Sequence, residues 1–391
     1  MNILVAHNFY KQPGGEDQCV AAEVAMLRAH GHNVTQYCLR NESIDAMSRL
    51  DVASRTIWSS PAFRELRELF RTLQPQIAHF HNTFPLISPA AYYAARAENI
   101  RVVQTLHNFR LCCSNAVLFR DGKVCEACLG KSFGWPGIVH KCYHDSRTAS
   151  AAIATMVATH RVLGTWQKAV DVYIALTEFS RRKLLEGGLP ADKIAVKSNF
   201  AYPDPGLGAG TGEYAVFVGR LSAEKGVETL LKGWRHLGGR LPLKLIGDGP
   251  LAPLVREAAK NDAMIEWLGN VPLEKVYSLV GQAAFLVLPS QCYENFPRVI
   301  IEAFAKGTPV IVAKLGAMAE IVDDGRTGLH FNPGDPIDLA KKVRSILADP
   351  WKLPQMRQAA RLEFDQHFTA DVNHHSLMAI YERALSGRPQ T

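Results

Sequence analysis

The stretch Ala284–Ile321, AFLVLPSQCYENFPRVIIEAFAKGTPVIVAKLGAMAEI, limits the possible folds more than any other part of the chain. The apolar run Phe285–Leu288 is closed by Pro289-Ser290, the pattern of a short parallel strand buried on both faces. The loop after it carries Glu294, Asn295 and Phe296. Pro297, with its fixed φ, suits the first position of a helix. The predicted helix buries Val299, Ile300, Ala303 and Phe304 and stops at Gly307. Pro309–Ala313 gives the next strand and Gly316 the next turn. The unit is strand, loop, helix, strand, with Glu294 just before the helix and Glu302 inside it.

A helix N-terminus presents unpaired N–H groups and a positive dipole end, which suit a phosphate. A loop carboxylate can accept hydrogen bonds from sugar hydroxyls, and a second carboxylate can hold a ribose diol. A nucleotide-sugar has all three parts. Taken alone, two glutamates at this spacing are ordinary solvated charges. Their place beyond the C-terminal end of an apolar strand, where open α/β sheets bind ligands, favours a site.

The motif Glu294-x7-Glu302, followed by Gly307-Thr-Pro-Val-Ile, Gly316 and Glu320, resembles the donor-site signature of the retaining glycosyltransferases of family four, also called glycosyltransferase group 1. The resemblance covers nearly the whole chain and is strongest from Tyr214 to Pro333. It implies an α/β fold of the GT-B type. Such a fold has two Rossmann-like domains facing each other across a cleft, and a C-terminal helix that crosses back to the first domain. In that family the Phe296-Pro297 helix start, with Asn295, lies at the donor.

The 391 residues are 47% hydrophobic, enough for two or three domains with their own cores. The net charge is +7 without a dense Lys/Arg run, so nucleic acid is not an expected partner. A mildly basic surface fits nucleotides or an anionic membrane face. The N-terminus lacks the basic lead of a signal peptide, and no apolar stretch is long enough to span a bilayer. The expected location is cytoplasmic, compatible with peripheral contact at the inner face of the membrane. There, eight cysteines are not expected to form structural disulfides.

Taken in order, the first half alternates strands and helices. Strands are predicted at Asn2–Asn8, Asn33–Leu39, Ile77–His81, Val102–His107, Val172–Leu176 and Ile194–Ser198, with helices from about Asp17 to His30 and from Ser180 to Glu186. This alternation predicts a parallel sheet covered on both faces. Gly14 and Gly15 sit between the first strand and the first helix, a pattern shared by phosphate-approach loops and plain turns. The resemblance places this loop near the donor diphosphate and the acceptor. His81 and His107 stand at the C-terminal ends of strands. The resemblance matches His107 to the family's active-site histidine, which contacts the transferred sugar, and His81 to a histidine of the preceding strand. Asn108 replaces the family's frequent aspartate, and Asn199 follows the last strand where the family often has one. Ala149–Val170 reads as a buried helix, with a membrane-lying amphipathic helix as the alternative that its few basic residues disfavour.

Residues 109–146 form a Cys-rich insertion. Cys125-x-x-Cys128 is a chelating pair, flanked at loop-sized distances by Cys113 and Cys142. Four such thiolates suit a tetrahedral structural zinc, with His140 and His144 as substitutes; buried free cysteines are the alternative.

Ala201–Gly212, AYPDPGLGAGTG, is rich in Pro and Gly and has no apolar periodicity, as in an interdomain linker. The second half opens with the strand Ala215–Val218, then Gly219-Arg220, then a helix starting near Lys225-Gly226. Arg220 and Lys225 stand where two cations can neutralise a diphosphate; both match phosphate-binding residues of the family. Strand Leu243–Ile246 leads to the turn Gly247-Asp248-Gly249, which the resemblance puts below the nucleotide. Strand Ile265–Leu268 leads to Val271, where the family packs the base. Ile337–Leu347 and Ala370–Leu385 are predicted helices. No Asp-x-Asp triplet occurs, which with Arg220 and Lys225 points to metal-independent catalysis.

The expected organisation is an N-terminal Rossmann-like acceptor domain (1–198, completed by 370–391), a linker (199–212) and a C-terminal donor domain (213–369). The expected activity is retaining transfer of a sugar from a nucleotide-diphosphate sugar to a saccharide or lipid-linked saccharide acceptor, as in polysaccharide, lipopolysaccharide or glycolipid assembly. No cofactor is expected to be needed for catalysis. His107, Glu294, Arg220 and Lys225 are the expected catalytic residues. Gly14, Gly15, Gly219, Gly247, Gly249, Val271, Asn295, Phe296, Pro297 and Glu302 are the expected donor contacts. A sugar-nucleotide epimerase of the same fold and a non-catalytic nucleotide-sugar-binding scaffold are the alternatives.

Overall fold

The computed structural model describes residues 1–12, 14–349 and 351–387. Every apolar run predicted as a strand is one, and all of them lie in two parallel sheets. The chain forms two units. One comprises Met1–Leu118, Cys125–Asn199 and the chain from Asn373 onward; the other comprises Phe119–Val124 and Phe200–Val372.

The first unit begins with β1 (Asn2–Phe9), α1 (Gly15–Ala29), β2 (Asn33–Arg40), α2 (Arg49–Ile57), α3 (Ser60–Leu73) and β3 (Ile77–Phe80). Then come α4 (Ala90–Ala97), β4 (Arg101–Thr105), the hairpin strands β5 (Phe119–Arg120) and β6 (Lys123–Val124), and α5 (Trp135–Val139). α6 (Arg147–Val162), α7 (Thr165–Lys168), β7 (Val172–Ala175), α8 (Glu178–Glu186) and β8 (Ile194–Val196) complete the first pass. The helix predicted over Ala149–Val170 is broken between α6 and α7 at Gly164, whose φ of +69° no interior helical residue adopts.

The sheet order is β2-β1-β3-β4-β7-β8. Its direction of growth reverses between β1 and β3, so a crevice opens at the C-terminal ends of those strands. The strands are buried on both faces because helices cover both. Leu4, Phe70, Phe80 and Tyr173 are among the side chains fully removed from water, each worth about 1.5–3 kcal/mol.

The second unit holds β9 (Ala215–Val218), α9 (Val227–Leu237), β10 (Leu243–Ile246), α10 (Ala252–Asn261), β11 (Ile265–Gly269) and α11 (Leu273–Gln282). It continues with β12 (Phe285–Leu288), α12 (Arg298–Ala305), β13 (Val310–Ala313), α13 (Gly316–Ile321), β14 (Gly328–Phe331), α14 (Pro336–Leu347) and α15 (Lys352–His367). The order β11-β10-β9-β12-β13-β14 reverses between β9 and β12. The edge strand β14 was not predicted; it is short and its glycine start hides the apolar pattern. Helix α12 begins one residue later than expected, because Pro297 is the extended N-cap (ψ 99°) and not the first helical residue.

The Pro/Gly segment expected as a free linker is fastened to the second unit. Lys306 Nζ donates to the carbonyl of Pro205 at 2.9 Å, Gly208 N to Lys306 O at 3.0 Å and Gly210 N to Gly281 O at 2.9 Å. Arg361 pairs with Asp204 at 2.7 Å. A Cβ on Gly208 would meet Gly281 Cα at 2.3 Å, so this glycine serves close backbone approach. The last helix, α16 (Ala370–Ser386), belongs to the first unit from Asn373 onward: Asn373 Nδ2 donates to Ser198 O at 2.7 Å. Among the described residues no helix is long and apolar enough to cross a membrane.

Candidate active site

In the second unit the predicted residues gather at the switch point between β9 and β12. Gly219 and Arg220 leave β9, and Arg220 is exposed. Lys225 ends a 3-10 turn over Ala223–Lys225, so the helix α9 starts two residues beyond it, after the Gly226 cap. Lys225 is an ion-pair partner: its Nζ lies 2.6 Å from Glu294 Oε1, which also accepts from Ser290 Oγ at 2.6 Å. Burial would push the Lys225 ammonium down, but Glu294 outweighs it and holds the group above the usual lysine range. Lys225 stays charged and keeps two N–H donors for a ligand.

Three backbone turns press together around this pair. Gly226 has a φ of +70°, and a Cβ there would stand 1.9 Å from Pro289 O. Gly247 has a φ of +128°, and a Cβ would stand 2.0 Å from Gly219 O. Gly249 N donates to the Asp248 carboxylate of its own turn at 2.7 Å. Only glycine lets the ends of β9, β10 and β12 approach this closely.

Glu302 is 8% exposed and pairs with Arg298 at 3.2 Å, one helical turn away. Burial pushes its carboxyl up, and Arg298 opposes that. Phe296 and Pro297 are buried, Asn295 is partly exposed, and Val271 follows β11 half-exposed.

In the first unit, Gly14 caps α1: its N–H donates to Asp17 Oδ2 at 2.9 Å, and Asp17 Oδ1 holds His7 Nε2 at 2.8 Å. Gly15 is the first helical residue. Beside them Tyr10 donates to Glu16 Oε2 at 2.9 Å. Burial pushes the Glu16 carboxyl from about 4.5 up to about 7, with Asp17 adding and His7, Tyr10 and Arg110 opposing. Between those two pH values the folded chain holds a proton that the unfolded chain lacks, so stability falls as pH rises through the window. Glu16→Gln is therefore expected to flatten that fall and to be more stable than the wild type at pH 8 by about 1–2 kcal/mol, the group being only half-buried. Urea unfolding at pH 5 and pH 8 checks this.

His81 and His107 are in contact, Nδ1 to Nε2, at 2.9 Å. Behind them lies a buried polar cluster that the sequence reading missed: Glu23, His79, Lys197, Asn373 and Tyr381, all under 5% exposed. Glu23 sits on the apolar face of α1 with Val20, Val24 and Leu27, and that misplaced charge was its available signal.

The four cysteines read as zinc ligands share one neighbourhood. Burial, together with the thiols of Cys113, Cys142 and Cys125, pushes Cys128 up to about 11. Among the described residues the set whose ligand atoms all lie within 4.8 Å is Glu23, His79 and His81.

Two family profiles match in tandem: Glycosyltransferase Family 4 over residues 13–204 and Glycosyl transferases group 1 over residues 204–363. Glycogen synthase of Mycobacterium tuberculosis is 30% identical over 181 residues, 45% of this chain and 44% of that protein. The chain thus spans less than half the length of that relative. A 42.6 kDa protein of the cps region of Klebsiella pneumoniae is 23% identical over 357 residues, covering 82% of this chain and 87% of its own. Sucrose-phosphate synthase from Thermosynechococcus elongatus superimposes with a TM-score of 0.72 at 16% identity, over 99% of this chain and all (100%) of that one. HepE from Anabaena, solved with UDP-glucose, gives 0.69 at 15% identity, over 98% and 100%. These likenesses establish the GT-B fold for the two parallel sheets. With both profiles meeting at residue 204 and the paired glutamates in the second of them, the chain belongs to the group 1 glycosyltransferases.

Proposed function

We propose that the protein is a retaining glycosyltransferase that moves a sugar from a nucleotide-diphosphate sugar to an acceptor hydroxyl in polysaccharide, lipopolysaccharide or glycolipid assembly. The observation that carries this reading is the Lys225–Glu294 pair at the switch point of the second sheet, with Glu302 buried in the helix that follows. The UDP-glucose held by HepE and the cps-region relative support the donor class and the setting.

In this reading Arg220, Lys225 and the start of α12 stabilise charge on the departing diphosphate, the role a metal plays elsewhere. Glu294 orients Lys225 and takes sugar hydroxyls with its remaining lone pairs; Glu302 takes the ribose diol. His107 contacts the transferred sugar. Glu294 is already shared by Lys225 and Ser290, and Glu302 by Arg298, so neither is suited to be a covalent nucleophile. The acceptor oxygen bonds to the anomeric carbon on the face from which the phosphate leaves, the carbon–oxygen bond to phosphate breaks, and the phosphate takes the acceptor's proton.

The test is incubation with a panel of labelled nucleotide-sugars, with nucleotide release measured with and without chelator and the product's anomeric configuration read by NMR. Retained configuration and chelator-insensitive release are expected. Interconversion of the donor without an acceptor would establish the epimerase reading instead.

The cysteine cluster is proposed to hold a structural zinc through Cys113, Cys125, Cys128 and Cys142. The CxxC pair and the three thiols that act on Cys128 support it, and a bound metal would stabilise the thiolate that burial now disfavours. Elemental analysis of protein purified without chelator is expected to find about one zinc per chain; metal-free, folded protein would refute it.

A further inference from the structure

We propose that Glu23 is a positioning residue which, through His81, fixes the tautomer of His107 so that Nδ1 is its bare, accepting nitrogen. The effect on turnover rests on the proposed contact of His107 with the sugar; the tautomer itself does not.

Glu23 carries the negative charge of the cluster. Glu23 is 4% exposed, and its Oε2 lies 3.1 Å from Lys197 Nζ, which also donates to Asn373 Oδ1 at 2.9 Å. Burial alone would push the Glu23 carboxyl up; Lys197, His79 and His81 outweigh it and hold it well below the ordinary carboxylate range. The carboxylate is therefore charged, and its other oxygen, Oε1, faces two imidazoles. His79 Nδ1 is 3.0 Å away and is shared with the Tyr381 hydroxyl at 2.8 Å, while His79 Nε2 meets Thr105 Oγ1 at 2.8 Å. His81 Nε2 is 3.2 Å away.

Glu23 Oε1 and His81 Nε2 form no in-line hydrogen bond, with each other or with any other atom, so their 3.2 Å contact is electrostatic. A bare nitrogen lone pair that close to a buried carboxylate oxygen would repel it strongly. The arrangement therefore favours the single proton of neutral His81 on Nε2, where its positive charge lies beside the carboxylate. His81 is neutral because burial, with His79 adding, pushes it down to about 4 against the pull of Glu23. Its Nδ1 is then an acceptor. The group 2.9 Å from that acceptor is His107 Nε2, which must carry the proton. Burial, then His81 and His7, hold His107 well below the usual histidine range, so it has one proton only. Among the described residues nothing hydrogen-bonds His107 Nδ1. The direction of every bond follows from the charge on Glu23, and His107 is left unable to donate from Nδ1.

A divalent ion held by Glu23, His79 and His81 would reverse this. His81 Nε2 would be a metal ligand, its proton would move to Nδ1, and His107 would be protonated on Nδ1. The Lys197 ammonium on the same carboxylate already supplies the counter-charge, which disfavours an ion there.

The experiment is a long-range proton–nitrogen correlation on full-length protein labelled with 15N-histidine at pH 7, with assignment by His81→Gln and His107→Gln. His107 is expected with protonated Nε2 and pyridine-like Nδ1, unchanged by added zinc. In Glu23→Gln the amide oxygen turns to Lys197 and the amide N–H₂ faces His81, so both rings are expected to switch to the Nδ1–H form, with kcat lowered about tenfold and donor KM nearly unchanged. Should the buried Lys197 unfold that variant, Glu23→Leu/Lys197→Met replaces the pair by apolar groups, and a mixed tautomer is expected. A wild-type His107 protonated on Nδ1, or a tautomer insensitive to residue 23, overturns the proposal. A switched tautomer with unaltered kcat would confirm it and remove His107 from the proposed reaction.

Discussion

Lys225→Met is expected to slow sugar transfer by about a hundredfold, or about 3 kcal/mol of transition-state stabilisation. The methionine keeps the length of the side chain and removes the cation proposed to face the diphosphate. The charge on that leaving group grows as its bond to the sugar breaks, so the loss falls mainly on kcat and less on nucleotide affinity. Glu294 adds a second effect. In the wild type it holds Lys225 at 2.6 Å, and in the variant its carboxylate keeps only Ser290 and its remaining solvent contact. The double variant Lys225→Met/Glu294→Gln separates the two: it should recover stability and not rate. Steady-state kinetics beside calorimetric nucleotide binding provide the check. Near-normal turnover in Lys225→Met would exclude the lysine from leaving-group stabilisation.

Gly226→Ala is expected to destabilise the second unit by about 4 kcal/mol, the sum of a left-handed non-glycine residue and a backbone collision. The collision is the larger part, because the new Cβ would stand 1.9 Å from Pro289 O. Gly238→Ala is the control. Gly238 has nearly the same φ, +65°, but nothing within 4 Å of a built Cβ, so it should lose only about 1 kcal/mol. Urea unfolding of the two variants measures the difference. If they are equally stable, the β9 and β12 turns do not need their close approach. Since Gly226 follows Lys225 and Pro289 precedes Ser290, Gly226→Ala should also lower transfer in whatever fraction stays folded.

Strands were legible because each is a short apolar run buried on two faces, a pattern that survives without knowledge of its neighbours. Arg220 and Glu294 could be singled out because each follows the end of such a run, and Lys225 and Glu302 because each lies in the turn or helix that comes next. Their partnerships were not. Nothing in the spacing of 225 and 294 says that Lys225 would be held by Glu294, for β9 and β12 become neighbours only through the sheet order. The packing of the segment 201–212 was not legible for a related reason: composition cannot distinguish glycines that flex from glycines that let Gly208 lie against Gly281. The Glu23 cluster was half-legible. A charge on the apolar face of α1 signals a buried partner, but that partner, Lys197, and the cover from Asn373 and Tyr381 on α16 come from two distant parts of the chain.

The return of α16 has a consequence for how the chain is made. The first unit is encoded mostly ahead of the second, yet its polar core is closed by Asn373 and Tyr381, which leave the ribosome only after the whole second unit. The nascent first unit therefore waits, through the whole synthesis of the second, with Lys197 lacking the Asn373 carbonyl and His79 lacking the Tyr381 hydroxyl. A premature stop near residue 370 would spare every residue of the second sheet and cripple the first. A chaperone binding to that waiting surface, or a protease cutting it, would act on the amino-terminal unit of a chain whose defect lies at the other end.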